Sequence, residues 1–201
     1  MPDPDREMRS CIDGFRTIWL KPDGAVRIID QRKLPHDYVV VTLESWQDGY
    51  AAIADMLVRG APLIGATAAF SLYLAARHGG RTEFDLARQR LAESRPTAVN
   101  LRWALDRVAA RAGGSDRSAL ADLVRDEAVA ICEEDVEISL GIGRHGLELI
   151  RAIAARKDGE AVNVLTHCNA GALATLNYVT ATAPVYLAHE AGIPVHVWVD
   201  E

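Results

Sequence analysis

Along the first 43 residues, apolar and β-branched positions come in three short runs, at 15–20, 25–30 and 38–43. Runs of this length bounded by turn residues predict strands. Pro22-Asp23-Gly24, between the first two, is a hairpin signal. After Ser45 the apolar period changes to three and four. Ser45 is a candidate N-cap for a helix to about residue 58. Helices are expected over 62–77, 83–93 and 96–112. Ser115 or Asp116 would cap a longer one reaching about residue 157. Its apolar positions Leu120, Leu123, Val124, Ile131, Ile138, Ile142, Leu149 and Ile153 keep helical spacing.

The pattern switches again after Lys157-Asp158-Gly159. Residues 161–166 read as a buried strand, 171–191 as a helix interrupted near Pro184, and 194–199 as a second strand. Strand, helix and strand in that order form a βαβ unit, which requires a parallel sheet. Two strands and one helix do not cover both faces of such a sheet, so a second domain is expected to begin here and to be unfinished at residue 201.

Composition narrows the class. Apolar residues make up 49% and charged residues 25%, which excludes wholesale disorder and leaves ample material for a core. The longest weakly polar stretch, 60–76, carries Thr67 and Ser71 and falls short of a membrane span, so it reads as a buried helix. The first ten residues hold no apolar segment of signal-peptide type. With 22 Lys and Arg against 28 Asp and Glu, the net charge is −6. That disfavours nucleic acid or an anionic membrane as partner, but leaves room for a small anion held where a few arginines converge. Cys11, Cys132 and Cys168 form no CxxC pair, so neither a disulfide framework nor a zinc ribbon is expected, and a reducing cytoplasm is the simplest setting.

Three segments carry candidate chemistry. In Val58-Arg59-Gly60-Ala61-Pro62, the proline suits the first turn of a helix. Gly60 and Ala61 then present backbone N–H groups, and Arg59 adds a forked charge, which together make an anion site. Ser94-Arg95-Pro96-Thr97 repeats the arrangement, so Arg59 and Arg95 are expected to clamp one phosphate. The competing reading is two surface arginines at helix junctions. The third segment, Leu165-Thr166-His167-Cys168-Asn169-Ala170-Gly171, lies at the carboxyl end of a parallel strand, where open sheets bind ligands. A cysteine beside a helix start tends toward thiolate or acid–base chemistry, against the alternative of a small buried side chain. His167 stands beside it as a supporting group or a structural histidine, and Asp200 and Glu201 would face the same crevice. Cys132, on an apolar helix face, reads as packing.

Gly141-Ile142-Gly143-Arg144-His145-Gly146 matches G-x-G-x-x-G, but the residues before it are helical, whereas a dinucleotide site needs a strand there. A closely packed or kinked helix without nucleotide is expected. His36, His78, His145, His167, His189 and His196 show no metal-ligand spacing.

Taken together, VRGAPLIGATAAF, SRPTAVNLRWALDR and LTHCNAGALAT resemble the methylthioribose-1-phosphate isomerase family of methionine salvage. The closing PVHVWVDE and the early IIDQRKLP fit as well, so the resemblance spans nearly the whole chain. That family has relatives among the regulatory subunits of translation initiation factor 2B and includes a ribose-1,5-bisphosphate isomerase; RPTAVNL and HVWVDE resemble the methylthioribose group most. The resemblance implies an α/β fold: a small N-terminal β segment plus helical domain over 1–157, then the first βαβ unit of a truncated Rossmann-like parallel-sheet domain over 158–201.

It further implies conversion of an aldose 1-phosphate to a ketose 1-phosphate without metal or nucleotide cofactor, in a cytoplasmic homodimer. Arg59, Gly60, Ala61 and Arg95 would bind substrate, and Cys168 would be the active-site cysteine. The family's catalytic aspartate, a glutamine and an Asn-Lys pair fall beyond residue 201, so the 201 residues alone are expected not to catalyse. Val179 stands at or next to a position where family members usually have a glycine, and would crowd the ligand or shift a helix.

Overall fold

The computed structural model describes residues 15–200 except 115, 117 and 178. Cys11, Ser115, Tyr178 and Glu201 therefore lie outside the described residues. The fold is mixed α/β, with two compact units that divide between Glu133 and Glu134.

The first unit, Arg16–Glu133, opens with an antiparallel sheet of β1 (Ile18–Leu20), β2 (Val26–Ile29) and β3 (Val40–Leu43) in that order. The expected turn joins β1 to β2: the Lys21 carbonyl accepts from the Gly24 amide at 2.8 Å, and the Asp23 carboxylate from the Ala25 amide at 2.9 Å. Helix α1 (Trp46–Ala54) starts where Ser45 predicted. Its first turn is closed reciprocally, the Asp48 amide donating to Ser45 Oγ at 3.2 Å and the Ser45 amide to Asp48 Oδ2 at 2.9 Å.

Helix α2 (Ala61–Ser94) is broken at Gly80, whose φ of 66° and ψ of −150° are not helical. It is thus two helical arms, as the sequence pattern required. Residues 63–76 are buried without exception. Two hydroxyls within that stretch bond their own helix, Thr67 to the Leu63 carbonyl at 2.7 Å and Ser71 to the Thr67 carbonyl at 2.6 Å. Helix α3 (Val99–Ala112) runs back along the second arm, tied by Arg88 to Asp106 at 2.9 Å and by Arg81 to the Ala112 carbonyl at 2.6 Å. It begins three residues later than the expected residue 96. Pro96 instead follows Arg95 in a turn closed by the Ala98 amide on the Arg95 carbonyl at 3.0 Å. A fixed proline φ suits the second position of a β-turn as well as a helix start, which is why the signal misled.

Helix α4 (Leu120–Ala154) contributes its first part to this unit and the rest to the second. Within the second unit it packs under a parallel pair, β4 (Val162–His167) and β5 (Val195–Asp200), registered from Val162↔Val195 to His167↔Asp200. Leu147, Ile150, Val162 and Ala188 form the buried cluster between them. The other face of the pair carries Leu165 and Trp198, both exposed.

The connection between the strands corrects the sequence reading. Among the described residues no continuous helix fills 171–191: a 3-10 turn, Ala172–Ala174, comes first, and α5 (Ala183–Glu190) forms only at the end. Pro184 opens α5 rather than interrupting it. The small hydroxyl residues bond locally instead of extending a helix, Thr175 Oγ1 to the Ala172 carbonyl at 3.3 Å and Thr182 Oγ1 to the Ala170 carbonyl at 2.9 Å.

The G-x-G-x-x-G segment is helical, inside α4. Its glycines are packing devices. A Cβ on Gly146 would overlap the Pro184 ring, and one on Gly143 would fall 3.1 Å from Ala183 Cβ, so α5 rests directly on the α4 backbone. A Cβ on Gly141 meets nothing. Gly146→Ala should therefore destabilise the chain by about 1–3 kcal/mol through overpacking. Gly141→Ala should be neutral or stabilising by up to about 1 kcal/mol, because alanine is the better helix former. Denaturant titration checks both, and equal effects at the two positions would contradict this packing.

Candidate functional site

The residues expected to form an anion site lie at two helix ends. After α1 the Val58 amide returns to the Ala52 carbonyl at 3.2 Å, and Val58 is fully buried, which fixes the chain just before Arg59. Gly60 is the N-cap of α2 with φ 90° and ψ 140°, a left-handed conformation that glycine adopts without strain. Ala61 is the first helical residue and Pro62 the second. The Ala61 and Leu63 amides thus lie in the turn where a helix leaves N–H groups without carbonyl partners and concentrates positive potential. Arg59 is exposed beside them.

Arg95 is half-buried at the other junction, as the C-cap of α2. Between the two junctions α2 packs closely on α3. A Cβ on Gly65, one turn into α2, would lie 3.1 Å from the Asn100 carbonyl and 3.5 Å from Ala104 Cβ, at the start of α3. Among the described residues neither Arg59 nor Arg95 has an ion-pair partner. Arg32, Arg88, Arg107 and Arg125 are all paired to carboxylates.

The second unit carries Cys168, exposed, immediately after β4. Its φ is 66°, unusual for a residue with a Cβ. Its amide donates to the Asp200 carbonyl at 3.1 Å, and its carbonyl accepts from the Ala170 amide at 3.0 Å. His167 Nδ1 lies 3.0 Å from Asp200 Oδ2. The expected α-helix start beside the thiol is absent, since the next α-helical residue is Ala183. Val179 is buried in the irregular stretch, so it shifts no helix there. In the same unit Thr166 Oγ1 and Asn177 Oδ1 are buried without a hydrogen-bond partner among the described residues. Cys132 is buried on α4, as its neighbours predicted. No group of three or more His, Cys, Asp or Glu side chains among the described residues is placed to hold a metal ion, and no described helix is long and apolar enough to cross a membrane.

Residues 57–201 match the initiation factor 2 subunit family. The chain belongs to that family. Within it, the chain is 52% identical over 190 residues to a methylthioribose-1-phosphate isomerase of Sinorhizobium medicae, covering 93% of this chain and 52% of that protein. It is 54% identical over 192 residues to one from Cereibacter sphaeroides, covering 93% and 51%. A solved 5-methylthioribose 1-phosphate isomerase from Pyrococcus horikoshii superposes with a TM-score of 0.81 at 33% identity, over 98% of this chain and 55% of that one. The delta subunit of translation initiation factor eIF-2B from A. fulgidus superposes with a TM-score of 0.73 at 33% identity, over 92% and 54%. The chain spans about half the length of the curated relatives it matches.

One supporting feature of this family member escaped the residue-by-residue reading. Asp30 is buried in the turn after β2, and Arg32 grips it with both ends of its guanidinium, Nε to Oδ1 at 2.9 Å and Nη2 to Oδ2 at 2.8 Å. The Arg32 amide adds a third bond at 3.1 Å. Between them the Gln31 amide donates to the Leu57 carbonyl at 3.0 Å, tying the turn to the segment that leads to Arg59. Two residues apart in sequence, the pair carried no periodic signal.

The Arg32 hydrogen bond holds the Asp30 carboxyl below its ordinary range, against the opposing effect of burial. A depressed carboxyl stabilises the folded state above its unfolded pKa of about 3.9 and loses that contribution as pH falls through the folded value. Asp30→Asn should destabilise by about 1–3 kcal/mol at neutral pH. The gap to wild type should close as pH is lowered below about 4, which urea titrations across pH will show.

Proposed function

We propose that the protein acts as an aldose–ketose isomerase, converting 5-methylthioribose 1-phosphate to 5-methylthioribulose 1-phosphate in methionine salvage. The observation that carries this reading is identity of 50–54% to relatives named for that reaction, over 93% or more of this chain. The paired helix-end arginines and the exposed cysteine at a strand end add the chemistry such a substrate needs.

Phosphate on the anomeric oxygen blocks simple ring opening to an aldehyde. The net change must therefore bring a hydrogen to C1 as its bond to the ring oxygen breaks. The ring oxygen leaves as the C4 hydroxyl, and the C2 alcohol becomes a ketone. Nothing is oxidised or reduced overall. Such a step needs charge to hold the phosphate and proton-handling groups close to C1 and C2. In this reading Arg59, Arg95 and the Gly60 and Ala61 amides hold the phosphate, and Cys168 supplies one group near C1 and C2. The enzyme works as a cytoplasmic homodimer on a small molecule, without nucleic acid or membrane.

The likeness to the A. fulgidus delta subunit supports a second reading, a non-catalytic regulatory protein. The two separate on one assay of the protein expressed from its complete coding sequence. Turnover of methylthioribose 1-phosphate is expected. Arg59→Ala should weaken phosphate binding by about 1.5–3 kcal/mol, roughly 10- to 150-fold in KM. Cys168→Ser should lower kcat by about 10²-fold or more. Preference for ribose 1,5-bisphosphate would reassign the substrate, and absence of any sugar-phosphate binding would favour the regulatory reading.

A further inference from the structure

We infer that His167 and Asp200 form a positioning pair that sets the orientation of the Cys168 thiol; this rests on the catalytic role proposed for Cys168. The parallel ladder between β4 and β5 ends at His167↔Asp200. One residue later the chain leaves extended geometry for φ 66° at Cys168. A non-glycine residue in that conformation persists only where its surroundings over-determine it. Asp200 supplies two of the restraints. Its backbone carbonyl takes the Cys168 amide at 3.1 Å, and its carboxylate faces His167 Nδ1 at 3.0 Å. The Ala170 amide on the Cys168 carbonyl, at 3.0 Å, supplies a third from the other side.

The carboxylate can only accept, so Nδ1 carries the hydrogen, which fixes the tautomer and leaves Nε2 free. Both side chains are about two-thirds exposed, and a pair so open adds little to stability. Its consequence is directional. The ring is turned toward β5 at the residue where the backbone must flip, so the strand pairing and the His167 contact converge on the residue before the thiol. Removing either partner frees His167 and, through it, the peptide that carries Cys168.

The test uses the protein expressed from its complete coding sequence. His167→Ala and Asp200→Ala should each lower kcat by about 10- to 100-fold with KM little changed, the loss expected when a reacting group is misplaced. The double variant should be no slower than either single one, since the two residues act as a unit. His167→Asn, whose amide N–H replaces Nδ1–H, should recover most of the rate. Alkylation of Cys168 by iodoacetamide, followed by peptide mapping without substrate, should shift by about threefold or more in both alanine variants. Wild-type kcat and alkylation in both alanine variants, or losses that simply add, would overturn the inference while inactive Cys168→Ser leaves the catalytic reading standing. Full turnover by Cys168→Ser would overturn that reading itself.

Discussion

The first unit depends on complete burial of one helical arm. Residues 63–76 of α2 expose almost nothing on any side, so every neighbouring element must seat against them. A helix apolar all round is stable in water only as the centre of a structure. Close approach is permitted by glycine on the facing elements or on the arm itself: Gly49 of α1 lies against Ser71, and Gly65 lies against the α3 backbone at Asn100. The polar atoms inside, on Thr67 and Ser71, are satisfied by carbonyls of the same helix and need nothing from their neighbours. The arm is therefore rigid, and its first turn is held where it starts. The candidate anion site sits on that turn, at Gly60 and Ala61.

The second unit relies on a different constraint. Parallel strands must be tied from one face by a connecting helix, and α5 achieves this only by lying directly on α4 at Gly143 and Gly146. The described residues between β4 and α5, with the 3-10 turn among them, absorb the rest of the crossover. It leaves Cys168 at a strand end with its backbone reversed and its side chain exposed. Strand ends of parallel sheets gather reactive groups because the ladder fixes them while the following loop leaves them open.

Much of this was legible in the sequence where one local rule decides the outcome. Ser45 gave a true helix start, and Pro22-Asp23-Gly24 a true hairpin. The switch of period at 157–161 gave the parallel strands. The misses share a cause. Pro96 and the residues after Gly171 carry local preferences that serve two structures equally: Pro96 entered a local turn closed on Arg95, and Thr182 bonded the Ala170 carbonyl instead of extending a helix. The glycines of 141–146 were rightly taken as helix packing, but only contact with Pro184 and Ala183 reveals which two matter. Asp30 and Arg32 went unread because a buried carboxylate gripped by an exposed arginine inside a turn has no period to betray it. The candidate site residues were proposed partly from helix-start chemistry and partly through resemblance; the link of Cys168 to Asp200 needed the strand register.

The central claim is that Arg59 and Arg95 hold one phosphate. Titration calorimetry of methylthioribose 1-phosphate against wild type, Arg59→Ala, Arg95→Ala and the double variant tests it most directly. Two guanidiniums on one phosphate are coupled, so the double variant should lose less than the sum of the single losses, by about 0.5 kcal/mol or more. Strictly additive losses, or unchanged affinity in either single variant, would contradict a shared site.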